Sequence, residues 1–166
     1  MKILQDDLPQ AASGTIHEDI AAFAEAAGGG GRLIGLDLGT KTIGVALSDV
    51  NRTIASGLET IKRTKFTADA AHLAAIIATH DNRGIVLGLP INLDGTEGPR
   101  AQSTRAFARN LNGRIALPVL LWDERLSTQA AERVLLAADQ SRRRRAQVID
   151  KMAATLILQG ALDRMR

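Results

Sequence analysis

The residues of this chain best placed to do chemistry are a few carboxylates set against apolar surroundings. Asp37 lies inside Arg32-Leu-Ile-Gly-Leu-Asp-Leu-Gly39, with Leu33, Ile34, Leu36 and Leu38 around it. Asp123 and Glu124 follow directly on the apolar run Ala116-Leu-Pro-Val-Leu-Leu-Trp122, and Asp150 stands at the start of an amphipathic stretch near the C-terminus. A charged group beside that much apolar surface costs several kcal/mol unless it is paired or binds an ion. Acids that converge repel one another unless cations neutralise them. Carboxylate oxygens suit hard divalent ions such as Mg²⁺, which take one or two carboxylates each and keep several waters. Two such ions about 4 Å apart activate a water and stabilise a leaving phosphate oxygen. No other ligand set competes: there is no cysteine, and His17, His72 and His80 are isolated, as surface or helix-packing histidines are.

Each acid also has a plainer reading. Asp37 could be a turn acid held by backbone N–H groups. Asp123 and Glu124 could pair with Arg125 or cap the helix that follows, and Asp150 could be a first-turn acid favoured by the helix dipole. What separates the readings is whether the elements carrying these acids bring them to one place.

Leu33 to Leu38 reads as a strand buried on both faces, and Ile43, Val45 and Leu47 alternate in a return strand after the turn Gly39-Thr-Lys-Thr42. Thr53 to Ile61 is a third, edge-like strand, with Gly57 marking a bulge. A helix follows over Asp69 to His80, with Leu73, Ile76 and Ile77 facing the sheet. Gly84-Ile-Val-Leu-Gly-Leu-Pro90 is a buried parallel strand, and the loop Asn92-Leu-Asp-Gly-Thr-Glu-Gly98 leads to a helix opened by Pro99, with Phe107 and Leu111 inward. Ala116 to Trp122 is the fifth strand. Ser127 caps a helix over Thr128 to Ala138, Arg142-Arg-Arg-Arg145 is a solvated, mobile loop, and Val148 to Leu162 closes the chain as a helix. Small Ala153 and Ala154 let that helix approach the sheet near Asp150. A three-stranded meander feeding a parallel half predicts an α/β, ribonuclease H-like fold: a five-stranded mixed sheet with helices on both faces. Ligands of such a sheet bind at the carboxyl ends of its strands, which is where Asp37, Asp123 and Glu124 fall. Gly35, two residues before Asp37 on the same strand face, is expected to keep that face open.

The chain has 166 residues, 45% of them hydrophobic and 23% charged, as in ordinary globular domains. Its charge is uneven. Residues 1–31 carry one Lys against five acids, net −4, while residues 32–166 carry 20 Lys and Arg against 13 acids, net +7. The first segment, with one short helix over Ile16 to Ala27 and the run Gly28-Gly-Gly-Gly31, reads as an N-terminal extension and a flexible glycine linker; residues 32–166 read as one domain. A basic domain favours polyanions. Only three Phe, one Trp and no Tyr argue against a base-stacking platform. No apolar run approaches the roughly 20 residues of a membrane helix, and no signal peptide is visible, so a cytoplasmic protein with no membrane partner is expected.

Four motifs resemble those of one family, in its order and at its typical spacing, from Arg32 to about Leu162. They are Gly35-Leu-Asp-Leu-Gly-Thr-Lys-Thr-Ile-Gly-Val-Ala46, Val86-Leu-Gly-Leu-Pro-Ile-Asn-Leu-Asp-Gly-Thr-Glu-Gly98, Trp122-Asp-Glu-Arg-Leu-Ser-Thr128 and Ile149-Asp-Lys-Met-Ala-Ala154. The family is the YqgF type, described as pre-16S rRNA nucleases and Holliday-junction-resolvase-like proteins. The resemblance implies a nuclease using Mg²⁺ or Mn²⁺ on structured RNA, in 5′ maturation of the small-subunit rRNA precursor within the pre-ribosomal particle. Carried over by position, Asp37, Glu124 and Asp150 are its catalytic and metal-binding acids. Lys41, Asn92, Arg125, Arg142, Arg143, Arg144 and Arg145 are candidate nucleic-acid contacts; Arg100, Arg105 and Arg109 extend a basic track or form a solvated face. The pattern departs from resolvase-type relatives at one point. Their glutamate at the end of strand four has no counterpart here, where the strand ends Gly88-Leu-Pro90, so Glu124 would take that role.

Three further readings stand beside this one. A Holliday-junction-type resolvase would act on branched DNA. The Asp-Leu-Gly-Thr turn also resembles the phosphate loop of actin-like ATPases and sugar kinases, but about 135 core residues leave no room for the second domain that clamps the nucleotide. A non-catalytic assembly factor would bind rRNA through the basic face without metal.

Overall fold

The computed structural model describes residues 15–126 and 142–166, with backbone alone over 142–150. The elements run β1 (Ile16–His17), α1 (Ile20–Ala27), β2 (Arg32–Leu38), β3 (Thr42–Ser48), β4 (Ala55–Lys62), α2 (Phe66–Thr79), β5 (Asn82–Leu89), α3 (Pro99–Asn112), β6 (Val119–Asp123), a single 3₁₀ turn (Glu124–Leu126) and α4 (Arg142–Arg164). The helix expected over Thr128 to Ala138 and its cap Ser127 lie outside the described residues. None of the described helices is long and apolar enough to cross a membrane.

The sheet order is β1-β6-β5-β2-β3-β4. β2 pairs antiparallel with β3, β3 antiparallel with β4, and β2, β5, β6 and β1 are mutually parallel. This is the mixed ribonuclease H-like sheet, with six strands rather than the expected five. The sixth is β1, whose Ile16 and His17 pair with Val119 and Leu120. Two residues make too short a strand for any alternation to announce it.

β2 is central and covered on both faces, hence its apolar run Leu33 to Leu38, interrupted only by Gly35 and Asp37. One face carries Ile34, Leu36, Leu38, Ile85, Leu87 and Leu89 against α2 and α3. The other carries Leu33, Ala46, Val86, Leu120 and Trp122 against α4 and Phe23 of α1. β4 forms the edge, and its bulge falls at Leu58, beside the expected Gly57. α2 begins three residues earlier than expected because Asp69 lies within its first turn. Its carboxylate accepts from the Thr64 backbone N–H at 3.1 Å and from the Thr64 hydroxyl at 3.2 Å, which holds the turn closed.

The glycine run is tied down rather than free. Arg52, in the left-handed region at φ 58°, donates to the carbonyls of Ala27, Gly28, Gly30 and Gly31 at 2.7–3.1 Å. That clamp comes from more than 20 residues away, so local composition gave no sign of it. Phe23 is fully buried, and a Cβ added at Gly84 would meet its ring at 2.8 Å. The arginine run Arg142–Arg145 is helical in backbone, not a loop. Arginine is a good helix former, and like-charge repulsion at i, i+4 costs only a few tenths of a kcal/mol.

Candidate active site

Asp37, one residue before the end of β2, lies between β3 and β5 and is 5% exposed. Its cross-strand partner on β3 is Gly44, which has no side chain to crowd it. On the β5 side, Gly35 pairs with Val86 and Leu36 with Leu87, so the next step of the register sets Asp37 beside Gly88. Strand alternation puts the Asp37 side chain on the face of Gly35, the face covered by α4. Gly88 presents that same face.

Glu124 arrives from β6. Trp122 is the register partner of Gly88, and the chain then turns in one 3₁₀ step that folds Glu124 back over the sheet. Its carboxylate oxygen Oε1 stands 2.6 Å from where a Cβ on Gly88 would be. Asp37 of β2 and the Glu124 carboxylate, which reaches over β5 from the end of β6, therefore lie on one face of the sheet at the carboxyl ends of its strands.

The third, Asp150, lies in α4, and its side chain is outside the described residues. Its place in the helix is one turn before Ala154, whose carbonyl oxygen lies 3.0 Å from a Cβ built on Gly35. Ala153 and Ala154 are fully buried, so the small residues do let the helix close on the sheet. Gly35 itself does not open the strand face. A Cβ there would meet Leu158 Cβ at 2.7 Å, so its space is filled by α4; the glycine beside the acids is Gly88.

Adjacent in sequence, Asp123 and Glu124 have different fates. Asp123 accepts from the Arg125 backbone N–H at 2.9 Å and from Arg125 Nε and Nη2 at 2.8–3.1 Å. Those guanidinium hydrogen bonds hold its carboxyl below the usual aspartate range. Asp123 is thus committed to Arg125, and Arg125 spends its Nε and Nη2 on Asp123. Among the described residues no three His, Asp or Glu side chains gather as a metal cluster. Asp37 and Glu124 form a pair of hard oxygen donors, and the fit of a third depends on Asp150.

A cleft of about 380 Å³ opens beside Glu124, walled by Arg125, Arg100 and the loop from Pro90 to Pro99. Asn92 closes that loop: its backbone N–H donates to Thr96 O at 2.9 Å and its side-chain amide to Thr96 Oγ1 at 3.0 Å. Gly95, at φ 90°, makes the tight turn. Lys41 is exposed at the β2–β3 turn. The side chains of Arg142, Arg143, Arg144 and Arg145 lie outside the described residues.

Sequence reasoning missed how the arginines are divided. Arg63 donates to Gly39 O at 2.6 Å, and Arg100 reaches Leu38 O at 3.4 Å, so both hold the two residues that follow Asp37. They line a second cleft with Thr40, Ser103 and Thr104. Arg105 is not part of a basic track. It bridges Glu97 of the loop and Glu18 beyond β1 at 2.6–2.8 Å, and hydrogen bonds to Glu97 and then Glu18 raise its pKa. Such long-range pairings leave no trace in local spacing.

Fold and site together define a ribonuclease H-like protein with carboxylates at the carboxyl ends of its central strands. Comparison with solved structures agrees on the fold. Thermus thermophilus RuvC in complex with Holliday junction substrate aligns with a TM-score of 0.52 at 15% identity, covering 81% of this chain and 95% of that one. A second Thermus thermophilus RuvC structure aligns at 0.51 and 14%. The RuvX family model, described as Holliday junction resolvase, matches residues 31–164, and this chain belongs to that family. A Cereibacter sphaeroides (strain ATCC 17025) protein is 65% identical over 150 residues, covering 90% of this chain and 94% of that protein. It carries the name "Putative pre-16S rRNA nuclease". A Bradyrhizobium sp. (strain ORS 278) protein of the same name is 67% identical over 135 residues, covering 81% and 84%.

Proposed function

We propose that this chain is a divalent-metal-dependent nuclease that hydrolyses a phosphodiester of precursor small-subunit rRNA during its 5′ maturation, in the cytoplasm and on the pre-ribosomal particle. The observation that carries this reading is that the Glu124 carboxylate, carried by β6, lies over Gly88 of β5 on the same sheet face as Asp37 of the next strand, β2. Family membership and the names of relatives above 60% identity support the substrate.

Asp37 and Glu124, with Asp150 from α4, would hold Mg²⁺ or Mn²⁺. When bound, the ion supplies Lewis acidity to the scissile phosphate and to the attacking water. The chain's own contribution is rigidity. β3 and β5 hold Asp37 on either side, and Arg63 and Arg100 fix the carbonyls just beyond it. Lys41, Arg125 and the run Arg142, Arg143, Arg144 and Arg145 supply cations for the phosphate backbone, and the Asn92 loop walls the cleft beside Glu124. A second reading has its own support: the family description names a Holliday junction resolvase, which makes branched DNA the alternative substrate.

One assay separates these readings. The full chain is given a 5′-extended small-subunit rRNA fragment or a four-way DNA junction, with Mg²⁺ or Mn²⁺, alongside Asp37→Asn and Glu124→Gln. Wild type should cut the RNA and the variants should not. Preferential cutting of the junction assigns the second reading. Metal-independent RNA binding without cleavage of either substrate makes the protein an assembly factor, and equal cleavage by all three proteins rejects the site.

A further inference from the structure

Gly88 lies one residue before the end of β5, beside Asp37, and the structure gives this glycine a spatial reason. It lies within β5 with no positive φ, so backbone freedom does not require glycine there. Space does. A Cβ on Gly88 would fall 2.6 Å from Glu124 Oε1 and 2.5 Å from Ile157 Cδ1, closer than carbon tolerates either atom. The volume over residue 88 is occupied by a carboxylate that reaches across from the neighbouring strand.

We propose that Gly88 is a positioning residue of the metal centre: its missing side chain is the seat that holds the Glu124 carboxylate beside Asp37. This rests on the nuclease reading above and deepens it. The carboxylate reaches this place from the end of β6, and a methyl at 88 would push both it and the Ile157 terminal carbon aside, moving Glu124 relative to Asp37. Gly35 makes the contrast. Its space is taken by the α4 residues Leu158 and Ala154 alone, whereas the space over Gly88 is shared between Ile157 of α4 and the Glu124 carboxylate.

The test is a double-mutant cycle on the full chain, with wild type, Gly88→Ala, Glu124→Ala and the double variant. Mn²⁺ binding is read from the loss of the free-ion electron paramagnetic resonance signal. Gly88→Ala should weaken binding by about 10–100-fold, as loss of support around a metal site does. Glu124→Ala should weaken it at least as much, and the double variant no further. Independent losses that multiply in the double variant would show that Gly88 acts only through packing against Ile157, and would overturn the proposal. Melting curves of the same four proteins need no ion. The drop in Tm caused by Gly88→Ala should shrink once Glu124 is truncated, because the crowding atom is gone; an equal drop in both backgrounds overturns the seat. Wild type that binds no Mn²⁺ would reject the metal centre itself, while the melting cycle still decides what fills the space. Should Gly88→Ala fail to fold, the exchange variant Gly88→Asp/Glu124→Ala returns a carboxylate from the strand side. It should regain about tenfold of the lost Mn²⁺ affinity, and no regain counts against the proposal.

Discussion

The two ends of the central strands spend their polar groups differently. At the amino ends of β2 and β5, several groups close the chain on itself, although the buried Asn82 amide finds no partner among the described residues. Arg52 gathers four carbonyls of the glycine run, Ser48 Oγ accepts from Leu33 N–H at 2.8 Å, and the Asp49 carboxylate takes the backbone N–H groups of Thr53 and Ile54 at 2.6 and 2.9 Å. At the carboxyl ends, two acids share one face, with a glycine between their strands and arginines on the flanking carbonyls. The first arrangement lowers the cost of buried backbone; the second gathers like charge that an ion can neutralise. Stability and chemistry are thus separated along one set of strands, as open αβ sheets allow.

Substitution can break that separation, and the largest effect belongs to the carboxyl end. Asp37→Asn and Glu124→Gln should each lower metal-dependent cleavage about 10²–10⁴-fold, the equivalent of several kcal/mol of transition-state stabilisation, with melting nearly unchanged. Initial rates beside melting curves check this. At the opposite end Arg52→Ala should do the reverse. Losing a cation's hydrogen bonds to four carbonyls should cost about 2 kcal/mol in urea denaturation, while cleavage per folded molecule stays at the wild-type value.

Asp49 sharpens the same contrast through pH. Hydrogen bonds from Ile54 and Thr53 lower its folded pKa, so the folded state binds the proton less readily than the unfolded state does. Its contribution is present in full above the unfolded aspartate pKa of about 3.9 and is lost as pH falls through the lower folded value. Urea midpoints measured from pH 7 down to pH 2.5 should therefore fall less steeply below about pH 4 in Asp49→Asn than in wild type. The smallest effect is expected next to the largest. Asp123→Asn frees Arg125 but should leave Mn²⁺ affinity within about twofold and stability within about 1 kcal/mol, as for other exposed ion pairs. A titration and a melting curve decide it.

How much of this was legible in the sequence follows from the range of each interaction. The apolar run around Asp37, the proline-opened α3 and the buried β5 are local patterns, and each formed close to its expected bounds. That Asp37 and Glu124 both fall at the carboxyl ends of parallel strands followed from the rule about strand ends. What stayed hidden was long-range or small: a two-residue β1, the Arg52 clamp and the Glu18–Arg105–Glu97 bridge. Gly35 was assigned the open space that Gly88 provides, because spacing along one strand says nothing of what the helix above it fills.

The central claim is that Asp37 and Glu124 hold a divalent cation together. Calorimetric titration of Mn²⁺ into wild type and Asp37→Asn tests it without substrate. Wild type should bind saturably and the variant about 10–100-fold or more weakly, with its fold intact. Equal affinity in the two proteins would contradict it.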